Sequence, residues 1–116
     1  MQPAGIQPLD PILEIATGVC GTTRTVTVSG EIDLAMGDRL GDSLREAIAA
    51  APETVLLDLS DVRFVDSTGI RVLVGAHQHA LARDVHLVIM RPPATVFRTF
   101  QLTGLDAVLP FVAAAA

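Results

Sequence analysis

Short apolar runs at strand spacing take turns along this chain with longer stretches whose apolar residues recur every three or four positions. Ile12-Leu13-Glu14-Ile15-Ala16 reads as a short strand, and Thr17 to Thr23, with Gly18 and Gly21, as a turn. Arg24-Thr25-Val26-Thr27-Val28-Ser29-Gly30 alternates polar with β-branched apolar residues, the pattern of a strand with one buried face. The two strands therefore form a hairpin. After Gly30-Glu31-Ile32-Asp33 the period changes. Leu40, Leu44, Ala47 and Ile48 fall on one helical face, and Pro52 closes that helix because the residue before a proline avoids helical geometry. Thr54 to Leu59 is a Val/Leu run of the length of a buried strand.

From Ser67 the helical period returns through Ile70, Leu73, Val74, His77 and Leu81. Val85 to Met90 is another apolar strand. Pro92-Pro93 opens a third helix, a place where proline is tolerated because first-turn N–H groups lack helical partners. Val96, Phe97, Phe100 and Leu102 give it an apolar side, and Gly104 supplies the left-handed residue that ends it, with Leu105 for the accompanying contact. Val108 to Val112 is a last strand that Pro110 confines to a sheet edge. The order β-β-α-β-α-β-α-β predicts a single α/β domain. Its sheet has about five strands, mixed but mostly parallel, with crossover helices and the hairpin at one side.

In such sheets the functional crevice lies at the carboxyl ends of the parallel strands. Two loops there carry acidic and hydroxyl groups: Gly30-Glu31-Ile32-Asp33 and Val65-Asp66-Ser67-Thr68-Gly69. Asp66 is placed to cap the following helix by accepting from the N–H of Thr68 or Gly69. Ser67 then occupies the first helical position, where exposed N–H groups and the helix dipole favour an anion such as a phosphate. Gly69 leaves room for another backbone or a phosphate to approach. On spacing alone the plainer reading holds its ground: Asp33 and Asp66 serve as ordinary N-caps, and Ser67 as a surface hydroxyl.

Composition narrows the choice. The 116 residues suffice for one core, half of them are apolar, and no apolar run reaches the ~18 residues of a membrane span. Met1 to Pro11, with Pro3, Pro8 and Pro11, reads as a loose lead-in without the pattern of a secretory signal, which predicts a cytoplasmic protein. The net charge is −5, all basic residues are arginine and aromatics are few, so nucleic acid is a poor partner. A single cysteine, Cys20, excludes an internal disulfide or thiolate metal cluster and reads as a spectator in the turn. His77 and His79, two positions apart on a helix, point about 200° apart and cannot share a metal. No motif asks for a cofactor.

Several chemistries fail on particular residues. A serine-hydrolase elbow needs glycine where Val65 stands, and an aspartic-protease motif needs glycine two residues after the aspartate. A Ser67 nucleophile has no base near it in the sequence, so the chain does not read as an enzyme. With no lysine anywhere, neither a response-regulator receiver nor a lysine-ended phosphate loop is possible.

Gly30-Glu31-Ile32-Asp33, Leu57-Asp58-Leu59-Ser60 and Phe64-Val65-Asp66-Ser67-Thr68-Gly69-Ile70 together resemble the STAS family, and within it the stand-alone bacterial anti-sigma factor antagonists. Leu102-Thr103-Gly104-Leu105-Asp106, followed by Val108-Leu109-Pro110, matches the family's approach to its last strand, so the resemblance runs from about Ile12 to Val112. It implies a partner-switching protein. The unphosphorylated form would bind an anti-sigma factor, itself a serine kinase with a histidine-kinase-like ATPase fold, and release the sigma factor. Phosphorylation of Ser67 would end that binding, and a PP2C-type phosphatase would restore the hydroxyl. By the same analogy Asp33, Asp66, Ser67, Thr68 and Gly69 form the partner-binding surface. The family also supplies accessory subunits of membrane transporters, beside sulphate carriers and lipid-exporting ABC systems. Members usually end in a further amphipathic helix, whereas this sequence stops at Ala113-Ala114-Ala115-Ala116. The resemblance thus implies a domain over 12–116 lacking most of that helix.

Overall fold

In a computed structural model, residues 13–113 are described. The lead-in over 1–11, Ile12 and the last three alanines lie outside them. The elements are β1 (Leu13–Cys20), β2 (Thr23–Ile32), α1 (Gly37–Ala49), β3 (Thr54–Val65), α2 (Ser67–Ala82), β4 (His86–Met90), α3 (Ala94–Leu102), a 3-10 turn (Leu105–Ala107) and β5 (Phe111–Val112). They form one five-stranded sheet in the order β1-β2-β3-β4-β5, with β1 antiparallel to β2 and every other pair parallel. Both the class and the element order agree with the hydrophobic pattern.

That sequential strand order positions the site. Right-handed crossovers that all step the same way lay the helices on one face of the sheet. Burial follows the pleat: Val26, Val28, Val55, Leu57, Leu59, Leu87 and Ile89 are buried under the helices. Their alternates Thr25, Leu56, Asp58, Val88 and Met90 are only half-buried, and Thr27 is exposed. Helix α1 contributes Leu40, Leu44, Ala47 and Ile48 to the core, the face its sequence predicts. Phe97 and Phe100 of α3 close the other end against Phe111, with centroids 5.1 and 5.0 Å from that ring.

Several boundaries differ from the sequence reading, each for a physical reason. Strand β1 runs through Thr17, Gly18 and Cys20, and only Gly21 and Thr22 turn, with Gly21 at φ +61°. Gly18 is a site of close approach: a Cβ there would lie 2.9 Å from Thr25 Oγ1. Cys20 therefore ends a strand, exposed, and is not in a turn. Strand β3 does not stop at Leu59 but continues to Val65, because β2 keeps pairing with it through Gly30↔Val62, Glu31↔Phe64 and Ile32↔Val65. Its polar residues Asp58, Ser60, Asp61 and Arg63 resemble a loop in sequence, yet none is buried by the helices.

On α2 the residues buried are Gly69, Leu73, Ala76 and Ala80, whereas Leu81 is 66% exposed and His77 is half-buried at the boundary. Small side chains let this helix lie close to the sheet, and the larger apolar residues disguise the stripe. Helix α3 starts one residue after Pro93, whose carbonyl accepts from the N–H groups of Val96 and Phe97, and Leu102 is exposed. Gly104 is left-handed at φ +78°, as its position requires. Only Phe111 and Val112 of the last predicted strand pair, at the sheet edge, because the turn that starts at Leu105 runs on through Val108 and Leu109, whose N–H groups donate to the Leu105 carbonyl.

Candidate functional site

The parallel strands β2 and β3 end side by side, and two acidic loops leave them there. Ile32 pairs with Val65, and the N–H of Asp66 donates to the Ile32 carbonyl at 3.1 Å. Asp66 is thus tied to the end of β2 before it caps α2. Its backbone is extended, at φ −102° and ψ −173°, and its Oδ1 accepts from Thr68 N–H at 2.9 Å and Gly69 N–H at 3.2 Å. The sequence predicts one of these bonds; the structure has both. The Asp66 carbonyl accepts the N–H of Ile70 at 3.1 Å. With those donors engaged, only the N–H of Ser67 remains at the helix start.

The helix end is therefore not the free cradle for a phosphate that the sequence alone suggests. The carboxylate of Asp66 already holds two of the N–H groups that would form one. Ser67 is exposed at the first position of α2, beside that carboxylate. Asp33 follows Ile32 on the neighbouring strand end, so the topology brings Asp33 and Ser67 onto adjacent strand exits, spaced as strands are by roughly 4.8 Å. Asp33 does not cap α1 directly. Its Oδ1 accepts from Met36 N–H at 3.0 Å, and its carbonyl accepts from Met36 and Gly37, which fixes the turn leading into α1.

Thr68 and Gly69 serve the scaffold. Thr68 sits against the start of α1, where a Cβ on Gly37 would come within 2.8 Å of its methyl group. Gly69 is buried, and a Cβ there would lie 2.7 Å from Ile32 Cγ2 and 2.9 Å from Val65 Cγ1. Its glycine lets the first turn of α2 settle onto the two strand ends. The sequence reading left room there for another backbone or a phosphate; the close approach found here is that of the chain's own Ile32 and Val65.

Three neighbours were missed in the sequence. Leu34, directly after Asp33, is 76% exposed, and Phe64, two residues before Asp66, is 46% exposed. An apolar residue beside an aspartate in a turn was the available signal for Leu34. Phe64 follows the polar run Ser60-Asp61-Val62-Arg63, which has the composition of a loop and hides the strand that carries it. Arg71 lies one turn beyond Ser67 on α2 and is exposed.

No imidazole stands beside Ser67. His77 and His79 lie ten and twelve residues further along α2, about 15 Å or more at 1.5 Å per residue, and His86 begins β4 at the far end of the sheet. Among the described residues no group of three or more His, Cys, Asp or Glu side chains could hold a metal ion. No described helix is long and apolar enough to cross a membrane. The arrangement offers an exposed hydroxyl at a helix start that Asp66 ties to the end of β2, with Asp33 on the adjoining strand exit.

The family model of the STAS domain matches residues 11–115. The chain belongs to the STAS domain family. Among its STAS relatives it is 31% identical over 84 residues to the anti-sigma-B factor antagonist of Listeria monocytogenes, covering 72% of this chain and 74% of that one. The crystal structure of an anti-sigma factor antagonist from Mycobacterium paratuberculosis superposes with a TM-score of 0.73 at 29% identity, over 85% of this chain and 84% of that one. SpoIIAA, a Bacillus cell fate determinant, shares the fold in both of its forms. The unphosphorylated form has a TM-score of 0.74 at 22% identity, covering 88% of this chain and 89% of that one. The phosphorylated form has 0.68 at 21%, covering 88% and 92%.

Proposed function

We propose that this STAS domain is an anti-sigma factor antagonist and that Ser67 is the residue through which its partner switches it. One observation carries the reading: Ser67 is exposed at the first position of α2, on a platform fixed from both sides by Asp66. The name of the Listeria relative supports it. A kinase can reach such a hydroxyl without unfolding anything. The partner in this reading is an anti-sigma factor with a histidine-kinase-like ATPase fold. It binds the unmodified surface, with Leu34 and Phe64, exposed on the two segments that leave β2 and lead into the serine, as further apolar contact area, and so releases its sigma factor.

Transfer of the γ-phosphoryl group of ATP to Ser67 Oγ, with loss of the hydroxyl proton, adds about −1.5 to −2 charge. Because Asp66 already occupies two first-turn N–H groups, the helix end neutralises little of it. The phosphate stands among Asp33 and Asp66 and turns the contact surface strongly acidic, which expels the partner without reshaping the fold. Hydrolysis of the phosphoester by a PP2C-type phosphatase restores the hydroxyl. Asp66 holds the loop, Thr68 and Gly69 seat the helix beneath it, and the domain acts as a substrate and binding module. Incubation with the cognate kinase and ATP should add one phosphate, seen by intact-mass spectrometry, and Ser67→Ala should add none. Undiminished phosphorylation of Ser67→Ala would move the switch elsewhere.

A further inference from the structure

Helix α2 has an uneven charge. From Ser67 to Arg83 it contains Arg71, His77, His79 and Arg83 but no carboxylate, in a chain whose net charge is −5. Arg71 and His79 form one bank of a groove of about 390 Å³ between α1 and α2, with Arg45 and Asp38 on the other bank. Arg45 is held by Asp42 at 2.6 Å, whereas no described carboxylate lies within 4.0 Å of Arg71. Leu44 and Ile48 give the groove an apolar floor. Gly75 leaves its wall open: a Cβ there would meet nothing within 4 Å. The groove begins at Gly37, which packs on Thr68, the residue after Ser67. A partner covering Ser67 is therefore already at its mouth.

We propose that this groove docks an acidic segment of the same anti-sigma partner, carrying apolar side chains for the floor, with Arg71 as its cationic anchor. The proposal rests on the anti-sigma reading above. Charge selects the occupant: the chain as a whole is acidic, at −5, and disfavours a carboxylate-bearing segment, while the α2 bank, which carries no carboxylate, attracts one. The site also gains a second lever. Ser67 and Arg71 stand at i and i+4, a spacing at which helical side chains meet, so a phosphate on Ser67 competes for the Arg71 guanidinium in a charge-assisted bond. Phosphorylation would then withdraw the anchor as well as repel the partner.

The test measures affinity of the unphosphorylated chain for the kinase that modifies Ser67, across a salt series, alongside thermal melts. Arg71→Glu should weaken binding at least about tenfold and flatten its salt dependence, and Arg71→Lys should keep most of both. Gly75→Leu has open space for its Cβ and a better helix former than glycine, so it should melt no lower than wild type. It should still lose at least about tenfold in affinity by filling the groove. Wild-type affinity in both Arg71→Glu and Gly75→Leu would overturn the groove and leave the Ser67 switch standing; that is also the result if the groove takes only a small free anion. Failure of the wild-type chain to bind the kinase would remove the anti-sigma reading, and the groove with it.

Discussion

At the scale of single residues the site depends on two that do different work. Asp66 is a cap: losing its two bonds to Thr68 and Gly69 in Asp66→Ala should cost about 1 kcal/mol. A loss of that size lowers the melting temperature of a 116-residue domain by roughly 3–5 °C. Gly69 is a close contact. Gly69→Ala forces a methyl group against Ile32 and Val65 and should cost about 1–3 kcal/mol in a chemical melt. An unchanged midpoint would mean that the α2 start is looser than these distances imply. Only the first role was legible in the sequence. A cap is a local device, read from an aspartate three residues before a glycine. The need for Gly69 arises between its helix and two strands brought together by the fold, so spacing alone leaves open whether a backbone or a phosphate approaches it.

At the scale of elements the hydrophobic period found every strand and helix but misjudged where some end. Strand β3 was cut short at Leu59 because the one-sided covering of the sheet leaves polar residues on its outer face, and these imitate a loop. The extra length carries the site, since it delivers Val65 beside Ile32. A register shift between Gly30 and Glu31 makes that pairing possible, and Gly30 adopts φ +99° there. Gly30→Ala should therefore cost about 1–2 kcal/mol and weaken this end of the ladder in particular. Hydrogen exchange checks it: the Asp66 amide, bonded to the Ile32 carbonyl, should lose protection well beyond the Leu57 amide in the central part of β3. Equal loss at both would show that the strand end has no separate dependence on Gly30. Helix α2 teaches the converse lesson. Its buried stripe is built on Gly69, Ala76 and Ala80, residues a search for large apolar side chains passes over.

At the scale of the molecule, consecutive strands with helices on one face bring the exits of β2 and β3 together and leave Ser67 at the carboxyl end of the sheet, beyond its central strand. The parallel order and this common end were legible from alternating strands and helices; the α1–α2 groove, whose wall Gly75 leaves open, was not. Because Ser67 is exposed and supports no core contact, phosphorylation should act on association and barely on folding, so the two forms should melt within a few degrees of each other. The most direct test is calorimetric titration of the anti-sigma kinase, without ATP, with the unphosphorylated and the Ser67-phosphorylated protein. The account predicts that the phosphate weakens binding by at least about tenfold, or 1.4 kcal/mol. Equal affinities of the two forms would contradict it.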